Sequence, residues 1–116
     1  MTPTATVMVV IGTRPEAIKL LPVVDACRAR QTMRVVLVAT AQHREMLDQV
    51  LDVWKVHPDV DLNFLQPGQD LSGVTNAVLA AMGGPLNKFK PDVVVLQGDT
   101  TTTLASALAA FYAKIN

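Results

Sequence analysis

Two short turns carry the side chains of this chain best suited to chemistry. Gly12-Thr13-Arg14-Pro15-Glu16 follows an apolar run at 7–11, and Gly98-Asp99-Thr100-Thr101-Thr102-Thr103 follows another at 93–97. One turn offers a fixed cation, the other a carboxylate beside a row of hydroxyls. A guanidinium at a helix start adds to free N–H groups and the helix dipole, which together suit a phosphate. Pro15 is expected to hold Arg14 extended. Lys19, one helical turn further on, either joins Arg14 on the anion or sits in solvent. Gly12 lets the chain leave its strand tightly and, with Thr13, belongs to the same anion-facing turn. Asp99 can move a proton or hold a substrate hydroxyl. It can equally cap the helix that follows, as can Thr100. One or two of the threonines cap that helix, which leaves others, Thr101 among them, to contact substrate. Gln42, His43 and Arg44 follow the second strand, where each can hydrogen-bond a ligand, cap a helix or face solvent.

The elements that must position these groups alternate between strand and helix. Residues 7–11 form a continuous β-branched run, as in a strand buried on both faces. A helix is expected over 15–30, with Ile18, Leu20, Leu21 and Val24 on its apolar face. Pro22 predicts a kink there or a helix that becomes regular only near it. Residues 34–40 read as the second strand, and 44–53 as a helix with Met46, Leu47, Val50 and Leu51 as its stripe. A weak third strand is expected around 61–64 and a loop over 67–70. A third helix starts at 71 and runs towards Phe89, with a break at Gly83-Gly84-Pro85. Residues 93–97 form the strongest strand, and the last helix covers about 101–113. This alternation predicts an α/β fold, a parallel, right-handed Rossmann-like sheet of order 3-2-1-4. Strands 1 and 4 then flank the point where the winding reverses, and ligands bind outside the carboxyl ends of strands there. Both turns lie at those ends, so they are expected to form one site.

Composition narrows the function classes. The chain has 116 residues, enough for one domain, and a formal net charge of zero with 50% hydrophobic residues. Neither nucleic acid nor a membrane surface is expected as a partner. No stretch is long enough for a membrane span, and residues 1–6 lack the basic start of a secretory signal. The single Cys27 excludes an internal disulfide, fits a reducing compartment and reads as structural. Trp54 and Met33 read as core or rim residues. His43 and His57 lack ligand-like spacing, so no metal is expected. With no Gly-x-Gly-x-x-Gly and no Walker A lysine, NAD and ATP are disfavoured by those routes. A phospho-receiver domain would place acidic residues where this chain has Arg14.

Three segments resemble the non-hydrolysing UDP-N-acetylglucosamine 2-epimerases: Gly12-Thr13-Arg14-Pro15-Glu16-Ala17-Ile18-Lys19, Thr40-Ala41-Gln42-His43-Arg44-Glu45-Met46-Leu47, and Phe89-Lys90-Pro91-Asp92 through Gly98-Asp99-Thr100-Thr101-Thr102-Thr103-Leu104. The resemblance covers nearly the whole chain. It implies a glycosyltransferase-B-like fold, of which residues 1–116 make part of the N-terminal Rossmann-like domain, with the C-terminal UDP-binding domain absent. It also implies a cytoplasmic isomerase of polysaccharide biosynthesis that interconverts UDP-N-acetylglucosamine and UDP-N-acetylmannosamine. No cofactor and no metal are implied. By motif, Asp99 is a catalytic carboxylate, while Arg14 and Lys19 contact the UDP-sugar. Gln42, His43 and Arg44 border its sugar-nucleotide and regulatory sites. The chain alone is expected to be inactive, and to form a homodimer or self-associate through an open edge on strand 4. The alternatives are a hydrolysing 2-epimerase and a non-catalytic nucleotide-sugar binding module.

Overall fold

The computed structural model describes residues 3–40, 44–62 and 68–116. Its elements are β1 (Ala5–Ile11), α1 (Arg14–Arg28), β2 (Met33–Ala39), α2 (Arg44–Trp54), β3 (Val60–Asp61), α3 (Leu71–Phe89), β4 (Val93–Val95) and α4 (Thr101–Tyr112). The four strands are parallel in the order β3-β2-β1-β4, as expected. β1 pairs with β2 from Ala5↔Met33 to Ile11↔Ala39 and with β4 from Val7↔Val93 to Val9↔Val95.

The strand period of two divides β1 between two apolar layers. Val7, Val9 and Ile11 pack with Leu20, Leu21 and Val24 of α1 and Leu47 and Leu51 of α2. Met8 and Val10 pack on the other face with Val78, Met82 and Leu86 of α3 and Ala105 and Ala109 of α4. Burying each Val or Leu contributes about 1.5–3 kcal/mol. β1 is therefore fixed from both sides, and so is the turn at its carboxyl end.

The amino ends of β3 and β4 are clamped by aspartates. Asp92 donates its N–H to the Thr6 carbonyl at 2.8 Å, and its Oδ2 accepts the Thr6 N–H at 2.7 Å. Asp59 repeats the pattern with Leu37 at 2.8 and 2.7 Å. Arg28 pairs with Asp59 at 3.3 Å.

The structure corrects several local expectations. α3 runs unbroken through Gly83, Gly84 and Pro85. Val78, Met82, Pro85 and Leu86 keep one buried stripe across that segment, so packing overrides the local breakers. α1 likewise begins eight residues before Pro22 and continues past it. Pro22 is exposed, on a side of the helix where water can meet the unpaired carbonyl one turn earlier. Ile18 and Met46 are each 49% exposed rather than part of the core, because Ala17 and Leu47 take the inward positions. β4 ends at Val95, two residues early, and β3 is a pair of residues starting at Val60. The expected strand positions 63 and 64, and Pro67, lie outside the described residues. The outer edge of β4 is partly covered, since the Val94 N–H donates to the Asn116 carbonyl at 2.6 Å.

Candidate functional site

The helices that follow β1 and β4 each have a threonine at the N-cap. Thr13 is the N-cap of α1, with extended backbone (φ −132°, ψ 164°) and no side-chain cap hydrogen bond. Arg14 is the first helical residue, not an extended one. Pro15 lies in the first turn, where an N–H has no intrahelical partner to lose, so the helix begins before it. Thr100 caps α4 by accepting the Thr103 N–H at 3.3 Å. The Thr103 hydroxyl donates to the Gln97 carbonyl at 3.0 Å. Asp99 is thus released from capping; it is exposed and without a side-chain hydrogen bond among the described residues. Gly98 turns the chain from β4 into α4 with φ +97°, a conformation that favours glycine.

A buried glutamate joins the two turns. Glu16 is 3% exposed. Its Oε1 accepts the Gly12 N–H at 2.8 Å, and its Oε2 accepts the Thr100 hydroxyl at 2.7 Å. Beneath them Gly12 has no room for a side chain: an added Cβ would lie 2.4 Å from Thr40 Oγ1 and 3.0 Å from Thr102 Cγ2. Glycine is needed here for close packing of β1, β2 and α4. Sequence inspection missed Glu16 as a site residue, although Thr13-Arg14-Pro15-Glu16 has the spacing of a capping box.

Between the turns lies a cavity of about 390 Å³ lined by Thr13, Pro15, Glu16, Lys19, Gln97, Gly98, Asp99 and Thr100. The two turns therefore meet, and Thr13, Lys19, Asp99 and Thr100 share one pocket. Gly12 lies buried below it. Thr101, half-buried in the first turn of α4, is outside the lining. Arg14 is exposed and lines a neighbouring groove of about 300 Å³ with Ile18, Gln49, Val50, Val53 and Trp54. Gln42 and His43 lie outside the described residues, and Arg44 opens α2. A larger cavity of about 410 Å³ involves the carboxyl ends of α3 and α4, with Lys90 in its lining. Of these three cavities among the described residues, the one between the turns combines a cation, a carboxylate without a side-chain bond, hydroxyls and two helix N-termini. That set can hold an anion while an acid/base group stands beside it. Among the described residues, no group of three or more His, Cys, Asp or Glu is placed to hold a metal, and no helix is long and apolar enough to cross a membrane.

A sequence profile of the UDP-N-acetylglucosamine 2-epimerases matches residues 25–116. The chain is 53% identical over 109 residues to the UDP-N-acetylglucosamine 2-epimerase of Escherichia coli K12, covering 94% of this chain and 29% of that protein. It is 51% identical to a probable UDP-N-acetylglucosamine 2-epimerase of Ralstonia nicotianae, with the same coverage. Among solved structures, the Neisseria meningitidis UDP-GlcNAc 2-epimerase bound to UDP-GlcNAc superimposes with a TM-score of 0.90 at 48% identity, over 95% of this chain and 30% of that one. The Methanocaldococcus jannaschii enzyme in complex with UDP-GlcNAc and UDP gives 0.87 at 33% identity, over 96% and 31%. The chain thus spans about 29% of the length of the curated relatives it matches.

Proposed function

This chain belongs to the UDP-N-acetylglucosamine 2-epimerase family, and on that premise we propose that it serves the interconversion of UDP-N-acetylglucosamine and UDP-N-acetylmannosamine. The reaction removes the proton at C2. The C–H electrons form the C1–C2 double bond as the C1–O bond breaks, giving UDP and a 2-acetamidoglucal. UDP then adds back at C1 while C2 takes a proton on its other face. Asp99 supplies one carboxylate for this acid/base work. Lys19 and the N-terminal amides of α1 and α4 stabilise the departing pyrophosphate, aided by the Thr13 and Thr100 side of the pocket. Arg14, at the same helix start, is assigned to the nucleotide, and Gln42, His43 and Arg44 to the border of the sugar-nucleotide and regulatory sites.

These 116 residues contribute the N-terminal Rossmann-like part of a glycosyltransferase-B-like enzyme. The opposite wall of the cleft, with most of the contacts to UDP, lies outside them. On this reading the chain alone turns over little, and the enzyme works in the cytoplasm. The observation that carries this reading is the pocket that joins Lys19 and Asp99 at the winding switch of the sheet. A coupled assay for UDP-N-acetylmannosamine tests it. The isolated chain should show no turnover. A chimera in which it replaces the matching segment of the E. coli relative should be active. An inactive but folded chimera would sink the assignment, and substantial turnover by the isolated chain would sink the division of labour.

A further inference from the structure

We propose that Glu16 is a positioning residue that locks the Asp99 turn onto the Gly12 turn. The inference rests on the proposed function only for what Asp99 does once it is held. Local closure of the start of α1 accounts for one of the two bonds made by Glu16, the one from the Gly12 N–H at 2.8 Å, one residue before the N-cap Thr13. It does not account for the other. Thr100 lies 84 positions away in sequence, on a different helix, and donates its hydroxyl to Glu16 Oε2 at 2.7 Å. Thr100 is also the N-cap of α4, so one carboxylate ties together the starts of both helices.

Burial and chemistry fit a holding role. At 3% exposure, with each oxygen already accepting a hydrogen bond, Glu16 is poorly placed to exchange protons with a substrate. Asp99 directly precedes Thr100, the residue that Glu16 holds, and has no side-chain bond of its own among the described residues. Its position over the pocket is set by its neighbours, and theirs by Glu16.

Amide hydrogen exchange followed by NMR on the ligand-free chain tests the lock. Glu16→Ala should speed exchange at Thr103 and its neighbours in the second turn by roughly tenfold. Amides in the centre of β1 and β2 should change less than about twofold, because their ladders are untouched. Thr100→Val should loosen the Gly12 amide from the other side, and Thr100→Ser, which keeps the hydroxyl, should restore it. In the double variant the two losses should add only in part, since the Glu16–Thr100 bond is removed by both substitutions while the Gly12 bond and the α4 cap are each removed by one. An effect of Glu16→Ala confined to residues 12–20 would reduce Glu16 to a cap of α1 and overturn the proposal. Fully additive losses, or a Gly12 amide indifferent to Thr100→Val, would do the same. If Glu16→Ala failed to fold, the Thr100 pair would decide alone. None of these rates involves a UDP-sugar, so failure of the epimerase reading would leave them unchanged.

Discussion

Carboxylates at the two ends of the strands serve opposite ends. Asp59 and Asp92 stand just before β3 and β4, and each spends its side chain on a backbone N–H of the neighbouring strand at 2.7 Å. Asp99 stands just after β4 and spends its side chain on nothing among the described residues. The residue type is the same and the strand is the same for Asp92 and Asp99. What differs is the surroundings. At the amino end an aspartate finds an unpaired strand N–H within reach. At the carboxyl end Thr100 has already taken the cap of α4, so Asp99 is left available to a ligand. Along β4, the satisfied aspartate stands where the strand enters and the one left to a ligand stands where α4 begins.

The largest effect should come from breaking this contrast at its functional end. In the chimera, Asp99→Asn should lower kcat by roughly 10²–10⁴-fold, the usual worth of a positioned acid or base. In denaturant unfolding of the chain, the same change should move stability by no more than about 0.5 kcal/mol, as for surface positions without a structural partner. A large loss of stability would show that Asp99 is a structural carboxylate like Asp92, and would erase the difference between the two ends.

Next in size is the packing under the pocket. Gly12→Ala should cost about 1–3 kcal/mol, the usual penalty for overpacking. The new methyl group would meet Thr40 Oγ1 at 2.4 Å and Thr102 at 3.0 Å, both on buried side chains. Adding Thr40→Ala should recover part of the loss by removing the closest atom. A neutral Gly12→Ala would mean that the carboxyl end is looser than its geometry implies, and that the turn does not hold Thr13 and Lys19 in place.

The contrast between the ends also explains what could be read from the sequence. The strand order and the meeting of the two turns were legible because apolar runs end in glycine turns at matching places, 7–11 and 93–97. Asp99 followed from that topology, while Lys19 was open between the anion and solvent and is found in the pocket lining. Arg14 was misplaced by local reasoning. Proline after it argued for an extended residue, whereas the first turn of a helix tolerates proline and draws Arg14 into α1, beside the α1–α2 groove. Glu16 was visible as a capping-box residue, but its bond to Thr100 joins segments 84 residues apart and no local pattern encodes it. The continuity of α3 was hidden for a related reason. Gly83, Gly84 and Pro85 signal a break, and only the buried stripe from Val78 to Leu86 explains why none occurs. The aspartate clamps of β3 and β4 were equally invisible, since Asp59 and Asp92 read simply as turn residues after prolines.

The smallest effect should come from those clamps, and it sharpens the comparison most. Asp92→Ala should cost about 0.5–1.5 kcal/mol, the net worth of a hydrogen bond whose donor can turn to water. Thr6 and Asp92 make their contact at an exposed position, so the orphaned N–H of Thr6 need not stay unsatisfied. Asp92→Asn keeps an acceptor at the same place and should lie close to the unsubstituted chain. Both should shift the urea midpoint with an unchanged slope, because neither alters the area exposed on unfolding. In the chimera, Asp92→Ala should leave kcat within about twofold once the protein is folded, since the clamp acts on stability and not on a group at the pocket. A kcat loss approaching that of Asp99→Asn would mean that the entry of β4 dictates where its far end sits. The two ends of the strand would then be one device rather than two.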